Sequence, residues 1–337
     1  GAPSAVYDSK ENGNDYGDDI NVRPYMGNWL AGGSCYVPTI DGKKVPIELS
    51  LAIHSDAGFD KTGNNIIGSL AVCTTNFNEG RLSSGISRMS SYDFAKALLD
   101  GFDRDLGAAV GKWSRRYLWD KNYSETRNPE VPSAIIETLS HQSFPDMKLG
   151  QDPNFKFCMA RSLYKTIVRY INNAHGKPTV IQPLAPNMFK IEFIDKDEVK
   201  LSWKATEDKL EPSAFPTAYN VYTAVGESDF DNGSVVTKNS ITLHLSPGIQ
   251  YNFKVTAVNR GGESFPTEVL SALYQPSATK TVLVVNGFDR LSAPAIIDND
   301  SIQGFDFNKD PGVSYGLTAG WNGKQICFDK KKIGIEG

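Results

Sequence analysis

The sequence predicts an α/β domain at residues 1–177, an all-β sandwich at residues 183–275 and the start of a further α/β segment at residues 279–337. Three observations predict this order. Short apolar runs alternate with amphipathic helical patterns in the first half, which is typical of α/β layers. A proline-rich linker follows at residues 178–186. After the linker, the period of the apolar residues changes from 3.6 to 2, which indicates strands.

The first domain contains three short apolar runs, at residues 45–53, 66–74 and 133–139. Each run is apolar on both faces, as in the strands of a sheet that is covered on both sides. Strands that alternate with helices along the chain favour parallel pairing. We therefore expect a mostly parallel sheet with helices packed on its faces.

Three helical patterns accompany these runs, at residues 18–30, from Ser91 onward, and at residues 155–174. Ser91 is a good N-cap residue. Apolar residues then recur at helical spacing, which predicts one buried face on each of the two longer helices. Those faces consist of Phe94, Leu98, Phe102 and Leu106 in the second helix, and of Phe157, Ala160, Leu163, Tyr164, Ile167 and Ile171 in the third.

The segment at 183–275 has short strands with side chains that alternate between apolar and polar, at residues 199–204, 218–222 and 251–258. Such strands, separated by turns over about ninety residues, predict a β-sandwich. Three segments resemble successive motifs of fibronectin type III domains. They are the strand that contains Trp203, the run AYNVYTA and the run LSPGIQYNFKVTAVNRGGESFPT. Within the last run, Tyr251 matches the strand that carries the family's tyrosine corner. Domains of this family mostly act as spacers or binding modules.

The last segment opens with the apolar run at residues 281–289, which ends in Asn286-Gly287-Phe288-Asp289. This run resembles the opening strand of glutamine-amidotransferase-like domains. The residues that follow are rich in Gly and Asp and are too few for that fold. We expect either a partial domain or a small C-terminal appendage.

Composition excludes several classes of function. The net charge of −4 and the pI of about 5.7 argue against nucleic-acid binding. No apolar run approaches the ~20 residues of a transmembrane helix. The four cysteines form no CxxC pair, so zinc-finger and redox motifs are excluded and buried free thiols are expected. The first residues, Gly-Ala-Pro-Ser, indicate a processed end. We expect an upstream extension and export to the periplasm, the outer-membrane surface or the extracellular space.

Two predicted strands end in side chains that can bind a metal or transfer a proton. The strand at 45–53 is followed by His54 and a polar loop, and ligands of open α/β sheets bind at that edge. A neutral imidazole there is a good zinc ligand. The strand at 133–136 ends in Glu137, which could move a proton beside a metal. The alternatives are a His54 bonded to backbone, a Glu137 paired with an arginine, and a His141 on a surface loop.

These two motifs resemble the zinc-dependent N-acetylmuramoyl-L-alanine amidases, in which one strand ends in Ser-Ile-His-x-Asn/Asp-Ala and the next in a catalytic Glu. The resemblance implies that His54 is a zinc ligand and that Glu137 is the general acid/base. It implies zinc as cofactor and peptidoglycan, or another cell-envelope glycan, as partner. Asp56 lies within the first motif, Arg23 matches the family's upstream helix, and His141 follows Glu137 by four residues, so these three are candidate accessory residues.

The chain departs from the amidase pattern in two ways. The family's two other zinc ligands, a His in a His-Gly motif and a Glu, are absent from the 337 residues. The usual Glu-x-Gly-Phe is replaced by Glu137-Thr138-Leu139-Ser140. We therefore expect the carboxyl part of an amidase domain. The sequence of residues 15–58 more specifically resembles a Bacteroidetes branch of this family. Proteins of that branch are labelled xanthan lyases and also contain golvesin-like and fibronectin III modules.

Three functions follow from these expectations. The first is zinc-dependent amide hydrolysis in peptidoglycan. The second is non-catalytic binding of the wall or of glycans by a surface adhesion protein. The third is polysaccharide lyase activity, for which the sequence shows no distinct constellation of Tyr, His and Arg. Trp113 and Trp119 could stack on sugars, although aromatic side chains more often pack in cores.

Overall fold

The computed structural model describes residues 1–285 and 292–312, together with the backbone of residues 327–329. The chain divides into two compact units. The first unit comprises Gly1–Ile171 and Phe288–Gly337, and the second comprises Asn172–Gly287. None of the helices in the described part of the chain has the length and hydropathy that a bilayer-spanning segment needs.

The first unit contains six described helices and a four-stranded sheet. The helices are α1 (Ser4–Tyr7), α2 (Asp15–Ala31), α3 (Met89–Val110), α4 (Ser124–Arg127), α5 (Phe144–Gly150) and α6 (Pro153–Ala174). The strands are β1 (Ser50–Asp56), β2 (Ser69–Cys73), β3 (Arg115–Asp120) and β4 (Ser133–Ser140). The three predicted apolar runs therefore contribute β1, β2 and β4, and the three predicted helices correspond to α2, α3 and α6.

The sheet has the order β1-β4-β2-β3 and is mixed. β1 pairs with β4, and β2 with β3, in parallel, but β2 and β4 are antiparallel. The expectation of a mostly parallel sheet is corrected here, because strand direction reverses in the middle. A parallel crossover usually contains a helix, and residues 57–68 between β1 and β2 contain none. The carboxyl ends of β1 and β4 consequently meet the amino ends of β2 and β3 at one edge.

Strand β1 begins five residues later than expected and lies at the margin of the sheet. Ile53 is 60% exposed, so the prediction that both faces of this strand are covered is wrong. By contrast, all five residues of β2 are buried. An edge strand has only one neighbour, which leaves part of its surface open to solvent even where its residues are apolar.

The core of the first unit lies between the sheet and helices α3 and α6. The predicted buried face of α3 is confirmed, because Phe94, Leu98, Phe102 and Leu106 are all almost fully buried. The predicted face of α6 is partly wrong. Leu163 is buried, but Phe157 is 45% exposed, and Phe155 packs instead against Trp113 with ring centroids 5.3 Å apart. Trp113 is thus a core residue and is not available to stack on a sugar.

The cysteines follow the expectation of buried thiols only in part. Cys73 is buried in β2, where burial raises the pKa of its thiol to about 12. Cys158 is half-buried and Cys35 is exposed, and neither forms a disulfide within the described part of the chain. The side chain of Cys327 lies outside the described residues.

The second unit is a β-sandwich of two antiparallel sheets. One sheet has the order β5-β6-β9, and the other has the order β11-β10-β7-β8 with β12 also paired to β10. The strands are β5 (Asn187–Phe193), β6 (Glu198–Lys204), β7 (Ala218–Val225), β8 (Ser234–Val236), β9 (Ser240–His244), β10 (Gln250–Asn259), β11 (Gly262–Glu263) and β12 (Leu270–Leu273). Alternate residues of β6 are buried, as the period of two predicted, and Trp203 packs edge-on against Tyr219 at 5.3 Å.

Tyr251 closes a turn of the sandwich, because its hydroxyl oxygen accepts a hydrogen bond from the backbone N–H of Ser246 at 3.2 Å. We expect Tyr251→Phe to lower the free energy of unfolding by about 1 kcal/mol, since it removes this bond and keeps the ring. Calorimetry of the whole chain would detect the lower melting transition. Tyr16→Phe, at a 77% exposed position of the first unit, is the control and should leave every transition in place.

The last segment differs from the expected α/β opening. Residues 281–285 form no strand, and residues 286–289 of the same run lie outside the described residues. An antiparallel ladder of β13 (Ala295–Asp298), β14 (Ile302–Asp306) and β15 (Cys327–Asp329) follows instead. Val282, Leu283 and Val284 are strongly exposed, so this apolar run lacks the burial that would favour a strand.

Candidate functional site

The two residues that the sequence predicted at strand ends lie side by side. Both are inside their strands, however, because β1 continues to Asp56 and β4 to Ser140. His54 on β1 is the register partner of Glu137 on the parallel neighbour β4. Glu137 is in turn the partner of Leu70 on β2. Residues that are directly opposite in a sheet project from the same face. The imidazole and the carboxyl group are therefore neighbours on one face of the sheet.

A carboxylate that sequence reasoning missed contacts His54. Oε2 of Glu125, on α4, lies 3.0 Å from Nε2 of His54, and the Glu125 side chain is only 13% exposed. Oε1 of Glu125 accepts a hydrogen bond of 3.3 Å from Arg23, which also pairs with Asp19 at 2.7 Å. Arg23 therefore does reach the site, through Glu125, and the chain Arg23–Glu125–His54 fixes the orientation of the imidazole.

Helix α4 is held beneath the site by Asn28 of α2. The Asn28 amide donates to the carbonyl of Asn128 at 2.8 Å and accepts from the backbone N–H of Glu130 at 2.9 Å. The first of these bonds satisfies the carbonyl of the C-cap residue of α4, a group that a helix leaves unpaired at its C-terminal end. A four-residue helix has no apolar periodicity, so its sequence gives no signal for the position of Glu125.

Asp56 pairs with a second residue that the sequence did not single out. Its carboxylate bonds the guanidinium of Arg116 on β3, and the same guanidinium donates to the hydroxyl of Tyr117 at 3.0 Å. Arg116 is 60 positions from Asp56 in the chain, so only the sheet topology brings the two together. Because Asp56 is engaged by an arginine, it is poorly suited to bind a cation.

His141 lies apart from His54. Its Nδ1 is 3.2 Å from the hydroxyl oxygen of Ser55, and its backbone N–H donates to the carbonyl of Asp56 at 2.9 Å. Successive residues of a strand project from opposite faces. Ser55, and with it the His141 ring, thus lies on the face away from His54.

Glu137 is held in an environment that disfavours its charge. Burial raises its pKa above 4.5, the ordinary value for glutamate. The nearby carboxylates Asp56 and Glu125 raise the pKa further, while His54 and Arg116 oppose the shift. Oε2 of Glu137 is buried and has no hydrogen-bond partner among the described residues. A buried carboxyl oxygen without a partner is a feature of sites that receive a ligand or a proton.

The raised pKa of Glu137 predicts a pH dependence of stability. A carboxyl group whose pKa is higher in the folded than in the unfolded state contributes most below the unfolded value. That contribution is lost as the pH rises from 4.5 through the raised folded pKa. We expect Glu137→Gln to gain stability relative to the wild type over this rise. Unfolding midpoints of both proteins, measured from pH 4.5 to neutrality, would test this, and parallel curves would contradict it.

The expected zinc site is not completed by these residues. Over residues 1–285 and 292–312, no group of three His, Cys, Asp or Glu side chains is placed to hold a metal ion. His54 and Glu125 supply two donors, and Asp56 is engaged by Arg116. A catalytic zinc takes three protein ligands. The donor set therefore does not fit zinc.

The second unit can be identified from its fold and its sequence together. The sequence profile of the fibronectin type III domain matches residues 184–272, which extend from before β5 to all but the last residue of β12. The expected fibronectin type III domain is confirmed, and the chain is a multidomain protein with mixed helices and sheets beside this sandwich.

Similarity to proteins of known identity is limited in extent. The neural cell adhesion molecule L1 of mouse is 28% identical over 145 residues, which are 42% of this chain and 11% of the relative. The rat protein is 29% identical over the same length. This chain thus spans about a tenth of the length of those relatives. Among solved structures, the twitchin kinase region of C. elegans is 26% identical, with a TM-score of 0.26 over 30% of this chain and 18% of that one.

Proposed function

We propose that this chain belongs to an exported cell-envelope protein whose first unit hydrolyses an amide bond of peptidoglycan, between muramic acid and L-alanine. One observation carries the proposal. His54 and Glu137 are register partners on two parallel strands, and the carboxyl oxygen Oε2 of Glu137 is buried without a partner in the described structure. The resemblance of both motifs to the amidase family adds support.

In this proposal Glu137 is the group that moves the proton. As a carboxylate it takes a proton from the water that attacks the amide carbonyl, and as an acid it returns that proton to the leaving nitrogen. The products are the carboxylic acid of the muramyl lactyl group and the free amine of L-alanine. A pKa above the ordinary value suits both roles, because the two protonation states are then closer in population near neutral pH. The Arg23–Glu125 pair keeps the His54 imidazole oriented beside the reacting group.

A second candidate is a surface protein that binds the wall or its glycans without catalysis. The incomplete set of metal donors in the described ranges and the fibronectin type III domain favour it. The similarity to an adhesion molecule agrees with an extracellular or surface location for either candidate.

One assay separates the two candidates. The full-length gene product is incubated with N-acetylmuramoyl-L-alanyl-D-isoglutamine, and the released dipeptide is measured by mass spectrometry. Hydrolysis that His54→Ala abolishes and His244→Ala preserves would support the first candidate. His244 is the matched control, since it lies exposed on β9 of the sandwich. If the protein co-sediments with intact peptidoglycan but releases no dipeptide from the soluble substrate, the second candidate is favoured.

A further inference from the structure

Two aromatic side chains form an exposed stacked pair on strand β3. The rings of Tyr117 and Trp119 lie 4.6 Å apart with an interplanar angle of 28°. Tyr117 is 42% exposed and Trp119 is 38% exposed. Single exposed apolar side chains are common, but two exposed rings that stack form a contiguous apolar patch, which is typical of recognition surfaces. Neither ring takes part in the proton transfer proposed for Glu137.

The pair lies on the same face of the sheet as Glu137. Trp119 is the register partner of Val72 on β2, and Glu137 is the partner of Leu70 on that strand. Val72 and Leu70 are two residues apart, so they project from one face, and opposite residues share that face. Tyr117 stacks on Trp119 and is therefore on this face too. Strands β3 and β4 are separated by two strand spacings, a distance of about 10 Å.

Arg116 connects the pair to the site. Its guanidinium lies 5.1 Å from the centroid of the Tyr117 ring and donates to the Tyr117 hydroxyl at 3.0 Å. The same guanidinium bonds Asp56, whose charge acts on Glu137. The Arg116 side chain is only 18% exposed, so it holds the Tyr117 ring at a fixed place relative to the carboxylates.

We infer that Tyr117 and Trp119 form a subsite that binds a pyranose ring of the glycan strand, with the peptide stem directed toward His54 and Glu137. The apolar CH face of a pyranose packs on an aromatic ring, and its hydroxyl groups remain free to bond polar neighbours. The separation of about 10 Å between β3 and β4 is comparable with the span of a disaccharide. This inference rests on the proposed function, because the glycan is taken as part of the amide substrate.

The test measures glycan binding apart from hydrolysis. Chitotetraose, a soluble oligomer of N-acetylglucosamine without peptide, is titrated into the whole chain by isothermal calorimetry. We expect Trp119→Ala and Tyr117→Ala each to weaken binding by about tenfold or more, and Trp119→Phe to weaken it less. Tyr123→Ala is the matched control, because Tyr123 is 50% exposed and is not part of the stack. Thermal unfolding of each variant checks that the fold is kept.

The outcomes are distinct from those for amide hydrolysis. If the wild type does not bind chitotetraose, or if all variants bind as the wild type does, the subsite is refuted even where hydrolysis is observed. Binding that depends on Tyr117 and Trp119 without any release of dipeptide supports the subsite and removes the hydrolytic role. The protein would then be a glycan-binding module.

Discussion

Glu137→Gln is expected to lower the rate of amide hydrolysis by about 10²–10⁴-fold, the usual contribution of a general acid/base. Gln has nearly the same shape as Glu but cannot accept and return the proton. Because Oε2 of Glu137 has no hydrogen-bond partner in the described part of the chain, the substitution breaks no bond there. The loss should fall on kcat, with little change in KM, in steady-state assays of dipeptide release.

Glu192→Gln serves as the control for this substitution. Glu192 is half-exposed on β5 of the sandwich and pairs with Lys190 at 2.9 Å. The same chemical change there should leave both kinetic constants unaltered. Full activity of the Glu137→Gln protein would show that this residue is not the general acid/base. Non-catalytic binding of the wall or its glycans would then be the favoured function.

Asp146→Ala is expected to cause the largest loss of stability in the first unit. Asp146 is fully buried at the start of α5. Its carboxylate accepts backbone N–H bonds from Ile67 at 2.7 Å, from Gly68 at 3.0 Å and from Ser140 at 2.9 Å. Each buried donor left without an acceptor costs about 1–3 kcal/mol. We therefore expect a loss of at least about 3 kcal/mol, measured by urea unfolding.

The control for Asp146→Ala is Asp103→Ala. Asp103 is exposed on α3, and its removal should change the free energy of unfolding by less than about 0.5 kcal/mol. A loss below about 1 kcal/mol for Asp146→Ala would contradict the assignment of three backbone bonds to one carboxylate. Since Gly68 immediately precedes β2 and Ser140 is the last residue of β4, the substitution should also disturb the site that these strands carry.

The sequence predicted elements well where burial repeats with a regular period. α3 and β2 illustrate this, because nearly every residue that the pattern placed inside is buried. Strand β3 was not predicted. It reads Arg-Arg-Tyr-Leu-Trp-Asp and lies at the sheet margin, where exposed and half-buried residues mix. An edge strand can carry charges, so hydrophobic alternation alone does not reveal it.

The contacts of helix α6 explain why the sequence pattern predicted its buried face incorrectly. Lys165 is almost fully buried and pairs with Asp105 of α3 at 3.1 Å. Thr166 packs so closely on Gly101 that a Cβ there would lie 2.4 Å from its hydroxyl oxygen. The two helices thus meet through small and polar residues. A search for apolar periodicity places the face on Phe157 instead, because it weighs hydrophobicity and not the fit between surfaces.

The candidate site could be predicted only for residues that follow an apolar run. His54 and Glu137 each follow such a run, although their strands continue past them to Asp56 and Ser140. Glu125 and Arg116 carry no comparable signal. Their roles depend on contacts with residues 60 or more positions away, which the sequence of one chain does not encode in any local pattern.

The long sequence separation between β1 and β4 has a consequence for how the site forms during folding. Its groups come from β1, β3, α4 and β4, and β1 pairs with β4 across more than eighty residues. Pairings over such separations form late, because the closure of long loops must precede them. The contact between His54 and Glu125 should therefore appear only with the complete sheet. Its formation would report the final cooperative step of folding, and partially folded chains should have no site.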